Sequence, residues 1–216
     1  LESFWDLFQP ELLIRYGGLA IVLTIVYIEN GLFFGFFLPG DSLLFTAGLL
    51  CYKKDVLDVD LAILITTIGI AAILGYYTGY YFGYKTGQAL YKRKDSLFFK
   101  KSYIHNAEHF YKKYGGMALI LGRFLPIIRT FAPILAGVVK VNQRTFFLYN
   151  IAGAVLWPCV VVTAGYYVGY AFPQALNYLN YIIIGFVVIT AIPVINNIRE
   201  YNKKKKVHAS NNKVKE

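Results

Sequence analysis

The sequence predicts an all-α integral membrane protein: an inverted repeat with two re-entrant, broken-helix hairpins, about three full transmembrane helices and amphipathic surface helices. Three observations predict it. Charge is excluded from two long stretches, basic residues gather in two others, and one nine-residue phrase occurs twice. The bulk composition agrees, since 57% of the 216 residues are hydrophobic and only 16% charged, outside the range of a soluble domain. A net charge of +10 would suggest nucleic acid in a polar chain. With so little polar surface it is better read as membrane topology, and no nucleic-acid partner is expected.

Residues 1–84 form the first repeat. Phe4, Trp5, Phe8, Leu12 and Leu13 can share one face of a helix lying in the headgroup layer or packing on the adjoining hairpin. Tyr16 to Leu50 is apolar but carries Glu29 and Asp41 and is broken by Phe-Leu-Pro-Gly-Asp-Ser at 37–42. Proline and glycine at that depth free backbone groups that lipid cannot satisfy, so a re-entrant hairpin over 17–50 is expected. Leu61 to Tyr84 is free of charge for 24 residues, enough to cross a hydrocarbon core of roughly 30 Å.

Residues 85–114 are a basic connector with its own aromatic, amphipathic helix at Phe98, Phe99, Tyr103, Phe110 and Tyr111. Lys85 to Gly116 holds eight Lys and Arg against two acids, and the tail at 199–216 holds seven against two, so both are expected on the cytoplasmic face. The second repeat, 115–198, begins with an apolar segment carrying Arg123, Arg129, Pro126 and Pro133. Basic flanks at both ends favour a second re-entrant hairpin at 115–139. Thr145 to Ile198 then runs 54 residues without charge, which is too long for one helix, and divides at a polar turn into spans at 145–171 and 180–198. The chain starts at Leu1 with its only methionine at Met117, which suggests a trimmed sequence, and nothing resembling a cleavable leader stands at its start.

The repeat is carried by RYGGLAIVL at Arg15 to Leu23 and KYGGMALIL at Lys113 to Leu121. Each is followed by Phe-Leu-Pro, at 37–39 and 124–126, and by a small pair, Ala47-Gly48 and Ala136-Gly137. The offset is 98 residues at the first phrase and 87 at the second, so the first copy contains an insertion. With one span between the copies, the hairpins should enter from opposite faces, and broken helices meeting near the midplane are where transporters place substrate and coupling ions.

Only four ionisable side chains of consequence fall in the apolar bulk, Glu29 and Asp41 in one copy and Arg123 and Arg129 in the other. A charge at the bilayer centre costs about 2.5–3.5 kcal/mol even on lenient scales, so compensation is required. One account is structural, a pair of salt bridges locking the hairpins together. The other is a wet cavity in which Arg123 and Arg129 bind a phosphate bidentately while Glu29 and Asp41 exchange protons. Pro39 and Gly40 lead into Asp41 and Ser42, a helix-start signal that either exposes N–H groups to an anion or uses Asp41 as a cap. Thr130 stands ready to add a hydroxyl, with Pro126 and Pro133 shaping the second hairpin. Tyr76, Tyr77, Tyr80, Tyr81, Tyr166, Tyr167 and Tyr170 read as interfacial anchors. Gly75, Gly79 and Gly83, with Gly165 and Gly169, read as close helix packing. Cys51 and Cys159 and the three histidines match no metal or catalytic spacing, so neither cofactor nor metal is expected.

Glu29-Asn30 with Phe-Leu-Pro-Gly-Asp at 37–41, together with GRFLPIIRTFAPILAG at 122–137, resembles the DedA family, also called SNARE-associated or VTT-domain proteins. The resemblance implies lipid translocation across the bacterial inner membrane, of undecaprenyl phosphate in some members and phosphatidylethanolamine in others, linked to the proton motive force. It implies that the acidic pair and the arginine pair, all four present here, are needed for function. The expected activity is therefore a translocase for a phosphate-bearing lipid, with a membrane lipid and protons as partners. A phosphatidylethanolamine translocase and a proton-coupled exporter of small solutes or ions are the alternatives. An enzyme is not expected, because no histidine lies in either hairpin or any predicted span. Oligomeric state is left open, a homo-oligomer included.

Overall fold

The computed structural model describes residues 9–32, 35, 38–54, 56–92, 109, 111, 113–123, 126–172 and 185. Its helices lie in the compact unit formed by residues 1–176. They are α1 (Pro10–Gly31), α2 (Gly40–Lys53), α3 (Leu61–Lys92), α4 (Met117–Gly122), α5 (Pro126–Val138) and α6 (Gln143–Ala171). Three of them, α1, α3 over Leu61–Gly87 and α6, are long and apolar enough to cross a membrane. Among the described residues all regular structure is helical, and the protein is a multi-pass membrane protein.

Two of these spans, α3 and α6, are the ones expected at 61–84 and 145–171. The expected span at 180–198, the basic tail and most of the connector with its amphipathic helix lie outside the described residues, as do Phe4, Trp5 and Phe8. The third span is a difference from the sequence reading. The segment expected to be one arm of a re-entrant hairpin is extended back to Pro10, 22 residues in all, across a break at Gly18 where the backbone is not helical. Leu12 and Leu13 lie in the part of α1 that precedes the break at Gly18. The insertion in the first copy lengthens the part of α1 that follows this break, whereas its counterpart α4 has only six residues.

Local signals set the helix ends. Pro10 takes the first helical position of α1, where its missing N–H costs nothing. The two Tyr-Gly-Gly phrases each supply a glycine with positive φ: Gly18 at φ +54° kinks α1, and Gly115 at φ +56° precedes α4. In α6 the Asn142 side chain accepts from the backbone N–H of Arg144 at 2.9 Å and of Thr145 at 3.4 Å, satisfying two donors of the first turn.

Burial follows the helical period. On α1 the buried residues Val22, Ile25, Val26, Glu29 and Asn30 form one i, i+3, i+4 stripe, so Glu29 is carried into the interior by the same face that buries valine and isoleucine. Helix α2 packs most extensively on α6, and α5 on α3. Glycines bring both pairs to backbone contact. A Cβ on Gly48 would run into the Val162 carbonyl oxygen, and one on Gly165 into that of Phe45. Across the other pair, a Cβ on Gly137 would run into the Tyr80 carbonyl oxygen, and one on Gly83 into that of Ile134. One turn further, Gly169 faces the Leu49 carbonyl and Gly87 the Val138 carbonyl, both at 3.2 Å from a Cβ. The two crossings thus use the same spacing on all four helices.

Candidate functional site: a buried charge cluster

Glu29 on α1, Asp41 on α2, Arg123 just after α4 and Arg129 on α5 are the four predicted charges. Glu29, Arg123 and Arg129 are each 2% exposed or less. Arg129, on the first turn of α5, ion-pairs through Nη2 with Glu29 and through Nη1 with Asp41 at 2.5 Å. Both acids therefore converge on one arginine. The indole Nε1–H of Trp157 on α6 donates to the same Asp41 Oδ1 at 2.8 Å, and the Arg129 guanidinium lies over the Trp157 ring at 4.4 Å.

Arg123 is held differently. Its Nη2 donates to Asn150 Oδ1 at 2.5 Å, its guanidinium stacks over the Tyr76 ring at 3.8 Å, and Asn150 Nδ2 donates to the Ile73 carbonyl at 3.2 Å. Its Nε and Nη1 find no hydrogen-bond partner among the described residues. Two salt bridges thus join the copies, as one of the two accounts expected, but both are made by Arg129, and Arg123 has only neutral partners among the described residues. Physically, an amide and an aromatic face hold a cation without neutralising it, so positive charge is retained at Arg123 while the Arg129 cluster carries a net negative charge when both acids are ionised.

The supporting residues take distinct places. Pro39 precedes α2, and its carbonyl accepts from Ser42 Oγ at 3.0 Å. Gly40 opens α2 against Glu29, where a Cβ would overlap the carboxylate. The Asp41 carboxylate accepts from Arg129 and Trp157, and among the described residues it shows no hydrogen bond to the first turn of α2. Pro126 begins α5, Thr130 is buried beside Arg129, and Pro133 lies inside α5 facing Gly79, where a Cβ would come within 3.2 Å of it. Of the tyrosines read as interfacial anchors, Tyr77, Tyr81, Tyr167 and Tyr170 are exposed and Tyr166 is half-buried. Tyr76 and Tyr80 are buried inside the protein instead of anchoring at a surface, Tyr76 beneath Arg123 and Tyr80 donating to the Val141 carbonyl at 2.7 Å.

Sequence reasoning missed Asn150 and Trp157. A signal was present, because Asn150, Gly153, Ala154 and Trp157 fall at i, i+3, i+4 and i+7 on one buried face of α6. Gly153 belongs to the site as well. A Cβ there would stand 2.8 Å from Cδ and Nε of Arg123, so Gly153→Ala is expected to displace the Arg123 side chain and lower activity at least tenfold while leaving thermal unfolding in detergent nearly unchanged. A full loss of folding instead would mean that the glycine serves helix packing alone.

Residues 38–167 match the family model of the VTT domain. Protein DedA of Escherichia coli K12 is 39% identical over 197 residues, covering 90% of this chain and 89% of the relative. The chain belongs to the DedA family of VTT-domain proteins. Further relatives of this DedA-family protein are the uncharacterized membrane protein Rv0364 of Mycobacterium tuberculosis H37Rv, 40% identical over 174 residues with 81% and 75% of the two chains covered, and the inner membrane protein YqjA of Escherichia coli K12, 34% identical over 169 residues with 78% and 74% covered. No solved structure matches the chain.

Proposed function

We propose that this DedA-family protein is a carrier, not an enzyme, that translocates a phosphate-bearing lipid, with undecaprenyl phosphate the first candidate, across the bacterial inner membrane in a cycle linked to protons. The observation that carries this reading is Arg123. A buried guanidinium with two unpartnered nitrogens and no carboxylate among the described residues is a site waiting for an anion, and its planar fork suits phosphate. Arg123 and Arg129 then differ in role. Arg123 receives the phosphate, whereas Arg129 is released to assist only when Glu29 or Asp41 takes a proton, which links anion binding to proton uptake.

A lipid is favoured over a small solute by a groove of about 380 Å³ between α1 and α3, lined in part by Leu23, Tyr27, Ile70 and Leu74. The hydroxyls bordering it are turned away from it in bonding: Thr24 donates to Ala20 O, Thr67 to Ile63 O, and Tyr27 shares a hydrogen bond with Thr78. Such a surface offers hydrocarbon to a hydrocarbon chain. The matched glycine crossings, α2 on α6 and α5 on α3, support an inverted repeat in which each short helix docks on the long helix of the other copy. The short α2, preceded by Pro39, and α5, opening on Pro126, are the parts that a re-entrant arrangement entering from opposite faces would use, and their basic charge favours the cytoplasmic side for the connector and the tail.

The test is a leaflet-resolved assay in liposomes with labelled undecaprenyl phosphate and labelled phosphatidylethanolamine, each competed by the other. Arg123→Lys keeps the charge and loses the fork, and is expected to lower undecaprenyl phosphate movement at least tenfold. Wild-type rates for Arg123→Lys and Arg123→Ala would sink the anion site. Movement of phosphatidylethanolamine alone would reassign the headgroup, and solute-dependent proton flux without lipid movement would make the protein an exporter.

A further inference from the structure

The charge cluster holds a neutral member whose placement the ion pairs do not require. Trp157 is 1% exposed, comes from α6, and touches both charged partners at once: its N–H donates to Asp41 Oδ1 at 2.8 Å and its ring lies 4.4 Å beneath the Arg129 guanidinium. Asp41 belongs to α2 and Arg129 to α5, so one side chain of a long span bridges one short helix from each copy. Among the three members of the ion-paired cluster, Asp41 is also the accessible one, with 18% of its side chain exposed against 2% for Arg129 and 3% for Glu29. Whatever opens the cluster from outside meets Asp41 first, and Asp41 is the carboxylate that Trp157 holds.

We propose that Trp157 is the positioning residue that seats Asp41 on Arg129 and ties the release of this ion pair to movement of α6. Its N–H adds a second donor to the oxygen already used by Arg129, so Asp41 leaves Arg129 only when the indole is drawn away or its hydrogen bond is given up. Its ring closes one face of the guanidinium, which keeps Arg129 in the plane that meets both acids. Because the donor is uncharged, its removal changes neither the net charge of the cluster nor the anion cradle at Arg123. Trp157 is therefore expected to govern how fast the site cycles and not how well it binds lipid. A transport test of this role rests on the lipid-translocase reading; a spectroscopic test does not.

The chain has two tryptophans, Trp5 and Trp157, so a full-length Trp5→Phe protein reports on Trp157 alone. In that protein in detergent micelles, Asp41→Asn removes the negative charge at the indole N–H and is expected to shift the Trp157 emission maximum; an unchanged spectrum would overturn the proposal. In liposomes, Trp157→Phe keeps an aromatic face over Arg129 and removes only the donor. It is expected to lower the maximal rate of undecaprenyl phosphate movement about tenfold, with the lipid fraction giving half-maximal rate unchanged. A wild-type rate, or a loss confined to the half-maximal lipid fraction, would overturn the positioning role. If the wild-type protein moves no lipid, the translocase reading fails, while the emission measurement, which needs no Trp157 substitution, still decides the clamp.

Discussion

Arg129→Met is expected to be the most damaging single substitution in this protein, destabilising it by about 3–5 kcal/mol and abolishing transport. The reason is that Glu29 and Asp41 both pair with this one guanidinium in a buried setting, so its removal leaves two carboxylates facing each other without a counter-ion. Thermal unfolding in detergent measures the first effect and the leaflet assay the second. The informative companion is the triple variant Arg129→Met, Glu29→Gln, Asp41→Asn, in which the cluster is neutral throughout. Replacing a buried ion network by neutral groups is often close to neutral for stability, so the melting temperature should recover. Transport should not. Recovery of both would reduce the four charges to a structural lock.

A second large effect is expected at the helix crossings. Gly48→Ala and Gly137→Ala each place a methyl group on the backbone of a neighbouring helix, at Val162 and Tyr80, where no flexible side chain can give way. The helices must move apart, at about 1–3 kcal/mol for each variant. Because the two crossings share the same spacing, the two losses should be similar, whereas Gly185→Ala, whose Cβ meets nothing within 4 Å among the described residues, should be silent. A large loss at one crossing with none at the other would count against an inverted repeat that uses both alike. Thermal unfolding of the three variants under one set of conditions decides it.

The glycines also mark how far the sequence reaches. GxxxG spacing announced close packing on α3 and α6, and the structure adds the partners, α5 and α2, each from the other copy. Pairing across copies is invisible in a linear pattern because it depends on how the helices are threaded past one another. Helix α1 is a comparable case. Its apolar content was plain, and the broken motif at residues 37–42 pointed to a hairpin; only the structure carries the stretch from Pro10 across the kink at Gly18 to a spanning length.

At the charge cluster the division is sharper. By itself the sequence determined that this is a helical membrane protein, that Glu29, Asp41, Arg123 and Arg129 are the charges needing compensation, and that the chain resembles the DedA family. Those features stand out because an ionised group is costly in an apolar stretch wherever it is placed. Only the tertiary structure decided which charge meets which: both acids go to Arg129, and Arg123 goes to Asn150 and Tyr76. It likewise decided that Trp157 joins the cluster while the equally aromatic Tyr77 faces outward. In a chain that is 18% aromatic, a neutral ring has no local contrast with its neighbours. Its role is set by the face of the helix it occupies and by what the next helix brings opposite, and both are properties of packing.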